Sequence, residues 1–235
     1  MPHYPLDAPG ILVRLEPKGF SGYLQSGLYL SDAGPDVSHN HGFDWHASNS
    51  VAVMEEAGWN YLLAQKAGTL AVGAFYNDGQ FTNWDNGAAQ RGIYGVYGFI
   101  NQVLWQNDGV QGADPQPVFS GFIQGGFAGP DSRANANLYF AGGLNWMGPL
   151  PGCPQDSAGI ACLYTGFSPN YTRSAFNPNG PGVNTAAETG VEFTYQMAVT
   201  PWCSLQPDLQ FVFNPANAST RATAVTVGVR VAVKF

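Results

Sequence analysis

Thr223–Phe235 reads T-A-V-T-V-G-V-R-V-A-V-K-F, and this C-terminal stretch decides the fold class of the chain. From Val225 to Phe235 every odd-numbered residue is apolar, whereas the even-numbered residues are small, polar or charged. Strict alternation of period two predicts a β-strand with one apolar and one polar face. Lipid against the apolar face and a watery lumen against the polar face would explain the pattern, as in a transmembrane β-barrel.

The composition of the whole chain favours the same class. The 235 residues include 30 glycines and are 45% hydrophobic and 14% aromatic. Only 11% are charged, whereas an average soluble domain has about 25% charged residues. No run approaches the ~20 apolar residues that a membrane helix needs. The net charge of -7 argues against the basic surface of a nucleic-acid-binding protein, so we expect no nucleic-acid partner.

Turn-forming residues divide the chain into about eleven predicted antiparallel strands and give no helical pattern. We predict these strands at Gly10–Glu16, Phe20–Leu30, Ser50–Tyr61, Lys66–Asn77, Arg91–Gln106, Pro115–Phe127, Asn135–Met147, Ala158–Phe167, Thr185–Val199, Trp202–Phe213 and Thr223–Phe235. Short connections alternate with longer loops, which include 31–49, 78–90 and 168–184. This alternation is typical of outer-membrane barrels. The prediction is therefore a single all-β barrel domain over residues 1–235.

The odd strand number predicts that the barrel is partial. A self-standing bacterial barrel has an even number of strands, so we expect further strands upstream or a second chain that completes the barrel. The first residues, M-P-H-Y-P-L-D-A-P-G, show no basic segment followed by an apolar one. An outer-membrane protein needs such a signal peptide, so either it was removed or this chain is a piece of a longer protein.

Several segments resemble the carbohydrate-selective porins of the OprB type. The most specific is T-P-W-C-S-L-Q-P-D-L-Q-F-V-F-N-P (Thr200–Pro215), joined by G-G-L-N-W-M-G-P-L-P-G (Gly142–Gly152) and F-T-Y-Q (Phe193–Gln196). Weaker matches occur in Ala8–Leu15, Glu55–Trp59 and Arg91–Tyr97. The resemblance implies the C-terminal part of an outer-membrane barrel of about sixteen strands. It also implies passive transport of small sugars without enzyme activity, with lipid and either other protomers or a missing N-terminal barrel segment as partners.

Side chains on the polar faces of the predicted strands are candidates for the channel lining. Hydrogen-bonding groups together with aromatic rings suit sugars, which have polar edges and apolar faces. Arg230 is expected between two carboxylates, either as part of a constriction or as a structural ion pair. The predicted lining consists of Glu56, Asn145, Glu192, Gln196, Gln206, Asp208, Gln210 and Arg230.

Glu55 and Glu56 do not form a glycosidase pair, because adjacent strand residues point to opposite faces and cannot flank one bond. We expect Glu56 to face the lumen. The sequence also contains no G-x-S-x-G motif and no P-loop. No catalytic residue is therefore predicted.

Two other groups leave alternatives open. Asp36–His46 combines imidazoles with carboxylates that could bind a divalent cation, although a solvated external loop is the simpler interpretation. We expect neither a metal nor a cofactor. Cys153, Cys162 and Cys203 cannot all pair within one chain, so either Cys153 bonds to Cys162 or all three are free thiols.

Aromatic residues near the predicted strand ends also bear on the choice of fold. Trp59, Tyr61, Trp146 and Trp202 lie near predicted strand ends, where a barrel has its interfacial girdle. A soluble β-sandwich with these rings in its core is the competing fold. A barrel-based adhesin or enzyme that acts through its external loops is the competing function.

Overall fold

Eleven antiparallel β-strands form one continuous sheet in the computed structural model, which describes residues 9–31, 50–107, 117–178, 187–215, 218 and 221–234. The strands are β1 Gly10–Leu15, β2 Gly22–Leu30, β3 Val51–Leu63, β4 Lys66–Thr82, β5 Ala89–Gln106, β6 Val118–Gly129, β7 Ala136–Met147, β8 Ser157–Phe167, β9 Ala187–Thr200, β10 Cys203–Phe213 and β11 Ala224–Val233. Each strand pairs with the next along the chain. The predicted all-β antiparallel fold is confirmed.

The sheet is open at both ends. Among the described residues, β1 pairs with β2 alone and β11 pairs with β10 alone. Each outer strand therefore presents one row of unpaired backbone N–H and C=O groups. Such an edge is strongly unfavourable in lipid, where water cannot satisfy these groups.

Two predicted loops contain more regular structure than expected. β4 and β5 extend into the region predicted as a loop over 78–90, which leaves only residues 83–88 between them. Polar residues persist at these strand ends because they make cross-strand contacts: Asp78 accepts hydrogen bonds from the Val51 backbone N–H at 2.6 Å and from the Arg91 guanidinium at 3.3 Å. Composition alone therefore placed the loop boundary too early.

The other difference is a short helix, α1 (Pro169–Arg173), in the predicted loop over 168–184. The Ser168 hydroxyl caps it by accepting a hydrogen bond from the Asn170 backbone N–H at 3.2 Å. Five residues are too few to show a helical period in the sequence. No helix among the described residues is long and apolar enough to cross a membrane.

The register separates the sheet into two chemically different faces, because directly paired residues lie on the same side. The apolar face carries many exposed large side chains, and the nine named below are each at least 39% exposed. A continuous surface of exposed hydrophobic residues that extends across the strands of a sheet indicates contact with another apolar medium. Residues on this face include Val13, Leu24, Val72, Ile100, Ile123, Leu144, Ile160, Phe193 and Val227.

Exposed tryptophans gather at one end of the sheet. We call this the short-turn end; its connections are 16–21, 64–65, 148–156 and 201–202. We call the opposite end the long-loop end; its connections include 83–88, 130–135 and 168–186. Trp59, Trp105, Trp146 and Trp202 lie at the short-turn end and are all exposed. Three of these were predicted as girdle residues, and their placement fits an interfacial belt.

Three loops at the long-loop end pack against one another. In this loop cluster (83–88, 130–135 and 168–178) the Trp84 backbone N–H donates to Ser132 O at 2.7 Å. The Ser174 hydroxyl donates to Trp84 O at 2.6 Å, and the Trp84 and Tyr171 rings meet edge to face at 4.8 Å between centroids. Burial raises the pKa of the Tyr171 phenol. The cluster therefore has a small core of its own above the sheet.

Candidate functional site on the polar face

All of the predicted lining residues lie on one side of the sheet, which we call the polar face. One row of directly paired residues runs across β2 to β9 and contains Gln25, Glu56, Gly73, Tyr97, Gly126, Tyr139, Thr165 and Glu188. A second row contains Asn145, Gly159, Thr194, Asp208 and Gly228. Side chains an even number of positions from Thr194, Asp208 and Gly228 on the same strands point to the same face. These are Glu192, Gln196, Gln206, Gln210 and Arg230.

A phenol–carboxylate cluster is built around Glu56. Its two carboxylate oxygens accept hydrogen bonds from the Tyr23 hydroxyl at 2.6 Å and from the Tyr97 hydroxyl at 2.8 Å. The Arg14 guanidinium lies 3.6 Å from the centre of the Tyr23 ring, and its Nε is 2.9 Å from Glu16 Oε1. The carboxylate is thereby fixed in place, while its remaining lone pairs can still accept hydrogen bonds from a ligand.

Glycines on neighbouring strands make room for the two tyrosine rings of this cluster. Gly58 is paired with Tyr23, and Gly73 is paired with Tyr97. A Cβ added to either glycine would overlap the tyrosine ring on the adjacent strand. The rings therefore lie directly over the backbone of their neighbours, and this close approach requires glycine.

A second part of the polar face connects β6 and β7 to β9 and β10. The Gln124 amide donates to the Tyr139 hydroxyl at 2.8 Å. Both residues line a recess of about 130 Å³, together with Phe122, Glu192 and Gln210. An aromatic ring, two amides, a phenol and a carboxylate thus border one small space.

An amide–carboxylate cluster continues this path on β9 and β10. The Gln210 amide nitrogen lies 3.4 Å from Glu192 Oε2 and 3.3 Å from Asp208 Oδ1, so one NH2 group donates to both acids. The Gln206 amide donates to the Thr194 hydroxyl at 2.8 Å. Four of the predicted lining residues are brought together here, with Thr194 as an additional member.

The expected placement of Arg230 between two carboxylates is wrong. Among the described residues, ion pairs within 4.0 Å are formed by Arg14 with Glu16 and by Arg91 with Asp78, not by Arg230. The register explains the difference, because Arg230 lies opposite Gln206 whereas Asp208 lies over Gly228. Gln210 bridges the two acids instead, and Arg230 is exposed.

The remaining candidates have simpler outcomes. Glu55 lies on the apolar face, opposite to Glu56, and accepts a hydrogen bond from the Ser26 hydroxyl at 2.7 Å. Cys153, Cys162 and Cys203 are free thiols, so the Cys153–Cys162 bridge is not formed. The possible metal-binding loop Asp36–His46 lies outside the described residues.

Sequence reasoning missed several members of the site. Tyr97, Tyr139, Gln124 and Arg14 were not among the predicted lining residues, although their strands were predicted. Their roles depend on partners in other strands: Tyr97 is 41 residues from Glu56. A glycine paired with an aromatic residue is the signal that identifies such positions, and it becomes visible only once the strand register is known.

Comparison with known proteins identifies a family and a fold. The family model for carbohydrate-selective porins, OprB family, matches residues 1–235. No curated protein matches the chain. The fold is similar to that of Pseudomonas putida OprB in its high-pH structure, with a TM-score of 0.81 and 17% identity over 99% of this chain and 60% of that one.

The low-pH structure of the same protein is also similar, with a TM-score of 0.59 and 17% identity over 96% of this chain and 55% of that one. This chain therefore spans about 60% of the length of the solved structure that it matches.

Proposed function

This chain belongs to the OprB family of carbohydrate-selective porins, and from that premise we propose that it is part of an outer-membrane channel for small sugars. Residues 1–235 contribute one barrel domain, and a further segment or chain completes the wall. The polar face lines the lumen, and the apolar face contacts lipid or neighbouring protomers. Sugars cross by passive diffusion, and the protein catalyses no reaction.

The observation that carries the proposal is the pairing of aromatic and hydrogen-bonding groups along the polar face. Tyr23 and Tyr97 flank the Glu56 carboxylate, and Tyr139 lies beside Gln124. A pyranose has the complementary surfaces, since its C–H faces pack on rings and its hydroxyls exchange hydrogen bonds with amides and carboxylates. Such a surface replaces part of the sugar's hydration shell as it moves along the wall.

The two clusters are separate from each other and each is small, which suits transit rather than tight capture. The phenol–carboxylate cluster lies on β2, β3 and β5, and the amide–carboxylate cluster lies on β9 and β10. Each offers a few hydrogen bonds on an open surface. A net gain of about 0.5–1.5 kcal/mol per hydrogen bond allows a sugar to bind and leave rapidly.

Liposome swelling tests this proposal directly. The protein that carries this chain, recovered from the outer-membrane fraction and reconstituted, should admit glucose faster than a neutral polyether of similar mass. Heat-modifiable migration on a gel verifies that the barrel has assembled. Equal rates for both solutes would show a general pore, and no swelling by an assembled barrel would contradict a channel function altogether.

A further inference from the structure

A separate polar recess lies at the short-turn end of the polar face. It has a volume of about 200 Å³ and is built where the turn at 201–202 meets the turn at 148–156. Gln155, Gln196, Thr200, Trp202, Ser204 and Lys234 contribute to its lining. The recess lies beyond both polar clusters described above, so their roles do not account for it.

The position of Gln155 in this wall is fixed by its neighbour Asp156, which is buried. Asp156 accepts hydrogen bonds from the Ala198 backbone N–H at 2.8 Å and from the Tyr195 hydroxyl at 2.7 Å. These two bonds attach the turn at 148–156 to β9. Gln155 is consequently held at the same recess as Gln196 of β9.

The other wall comes from the turn between β9 and β10 and from the end of β11. The Lys234 backbone N–H donates to Trp202 O at 2.8 Å, which joins the two elements. The Thr200 hydroxyl oxygen is buried and has no hydrogen-bond partner among the described residues. A hydrogen-bonding group left unused in a polar wall is unfavourable unless a ligand or water satisfies it.

The lining has a different chemistry from the two carboxylate clusters. It combines two amides, two hydroxyls, one ammonium group and an exposed indole, and it includes no carboxylate. An indole face with surrounding donors and acceptors is suited to a hydroxylated ring. The volume lies below the ~300 Å³ at which pockets for drug-sized ligands begin, so it limits the ligand to about one ring.

We propose that this recess is a second sugar subsite, which holds one neutral monosaccharide unit at the short-turn mouth of the channel. The proposal rests on the proposed function, because the sugar reaches the recess along the polar face. It also gives a role to T-P-W-C-S (Thr200–Ser204), which contributes most of one wall. A sugar leaving the lumen would exchange its last wall contacts here before it enters bulk water.

Tryptophan fluorescence of the detergent-purified protein tests the subsite, with glucose as the probe. Glucose should change the emission of the parent protein, and Trp202→Phe should abolish that change. Trp59→Phe is the matched control and should keep the emission change. Trp59 and Trp202 are 52% and 57% exposed at the same end of the sheet, but Trp59 lies on the apolar face. A full emission change in an assembled Trp202→Phe protein would overturn the proposal.

Two variants in the wall provide an independent measurement by the same titration. Gln155→Ala and Lys234→Gln should each raise the half-saturating glucose concentration about fivefold, the loss expected for one ordinary hydrogen bond. Lys66→Gln, beside the turn at 64–65 at the same end of the sheet, should leave it unchanged. Unchanged titrations for both wall variants would overturn the subsite, as would a response to inorganic phosphate in place of glucose.

Liposome swelling separates this result from the proposed function. If the parent protein passes glucose but the wall variants bind it normally, the subsite is wrong and the channel function stands. If the parent protein passes no glucose, the channel function itself fails.

Discussion

Glu55 and Glu56 are neighbours in β3, yet their carboxylates lie on opposite faces of the sheet and have different partners. Ser26 donates to Glu55 at 2.7 Å, whereas Tyr97 donates to Glu56 at 2.8 Å. The two acids share a charge, a strand and nearly the same position along it. They therefore form a matched pair in which only the direction of the side chain differs.

Glu56→Gln should lower glucose flux at low concentration, because a neutral amide is a weaker acceptor than a carboxylate for sugar hydroxyls. A loss of about 1 kcal/mol corresponds to roughly a fivefold slower flux. Glu55→Gln should leave the flux unchanged. Both variants are measured by liposome swelling after the assembled fraction has been quantified, and equal fluxes would contradict a role for Glu56 in the lining.

Gly73→Ala should destabilise the barrel, because the added methyl group overlaps the Tyr97 ring. Overpacking of this kind typically costs about 1–3 kcal/mol. Gly142→Ala is the control on the apolar face, where the nearest atom to the new methyl group is Phe122 O at 3.3 Å. The measurement is the temperature at which the folded band disappears on a gel. The same temperature for the two variants would show that the contact with the ring is dispensable.

Val229→Arg should block membrane assembly, and Thr226→Arg should be tolerated. Val229 lies opposite Pro207 on the apolar face, whereas Thr226 lies opposite Gln210 on the polar face. An arginine facing lipid near the midplane costs roughly 2–4 kcal/mol, while one facing water costs little. The yield of heat-modifiable protein in the outer-membrane fraction measures the difference, and similar yields would refute the assigned faces.

Trp84→Ala should loosen the loop cluster. Replacing a buried tryptophan by alanine costs about 3–5 kcal/mol, because it leaves a cavity. Arg133 and Arg173 lie within the cluster, so trypsin should cleave there much faster in the variant. Asp85→Ala removes a single hydrogen bond, 2.6 Å long, to the Asn170 amide and should have a smaller effect. Unaltered protection in Trp84→Ala would show that the loops are held by the sheet and not by this core.

The strands and their facing could be predicted because both depend on local alternation. The period of two in Thr223–Phe235 identified β11, and turn residues located the other ten strands. Local signals failed at the loop over 78–90, because Asp78 is stabilised by partners in β3 and β5. They also failed at α1, which is shorter than the window in which a helical period appears.

The contacts within the site were harder to predict from the sequence, because they depend on the register of the strands. Arg230 and Asp208 share a face, as expected, but the pairing of β10 with β11 places Gln206 opposite Arg230. A shift of two residues would have kept every side chain on its face and changed every partner. The Tyr97–Glu56 contact likewise requires the registers of two successive hairpins, which no local pattern contains.

Glycine and tyrosine alternate along Gly73, Tyr97, Gly126 and Tyr139, and this order has a consequence for the width of the passage. A ring that lies over a glycine projects less from the wall than a ring raised by a side chain beneath it. In the proposed channel, the wall can thus present aromatic surface without narrowing the bore. In the proposed channel the glycines would therefore set how far the rings project into the passage, whereas the tyrosine hydroxyls and their partners would set its chemistry.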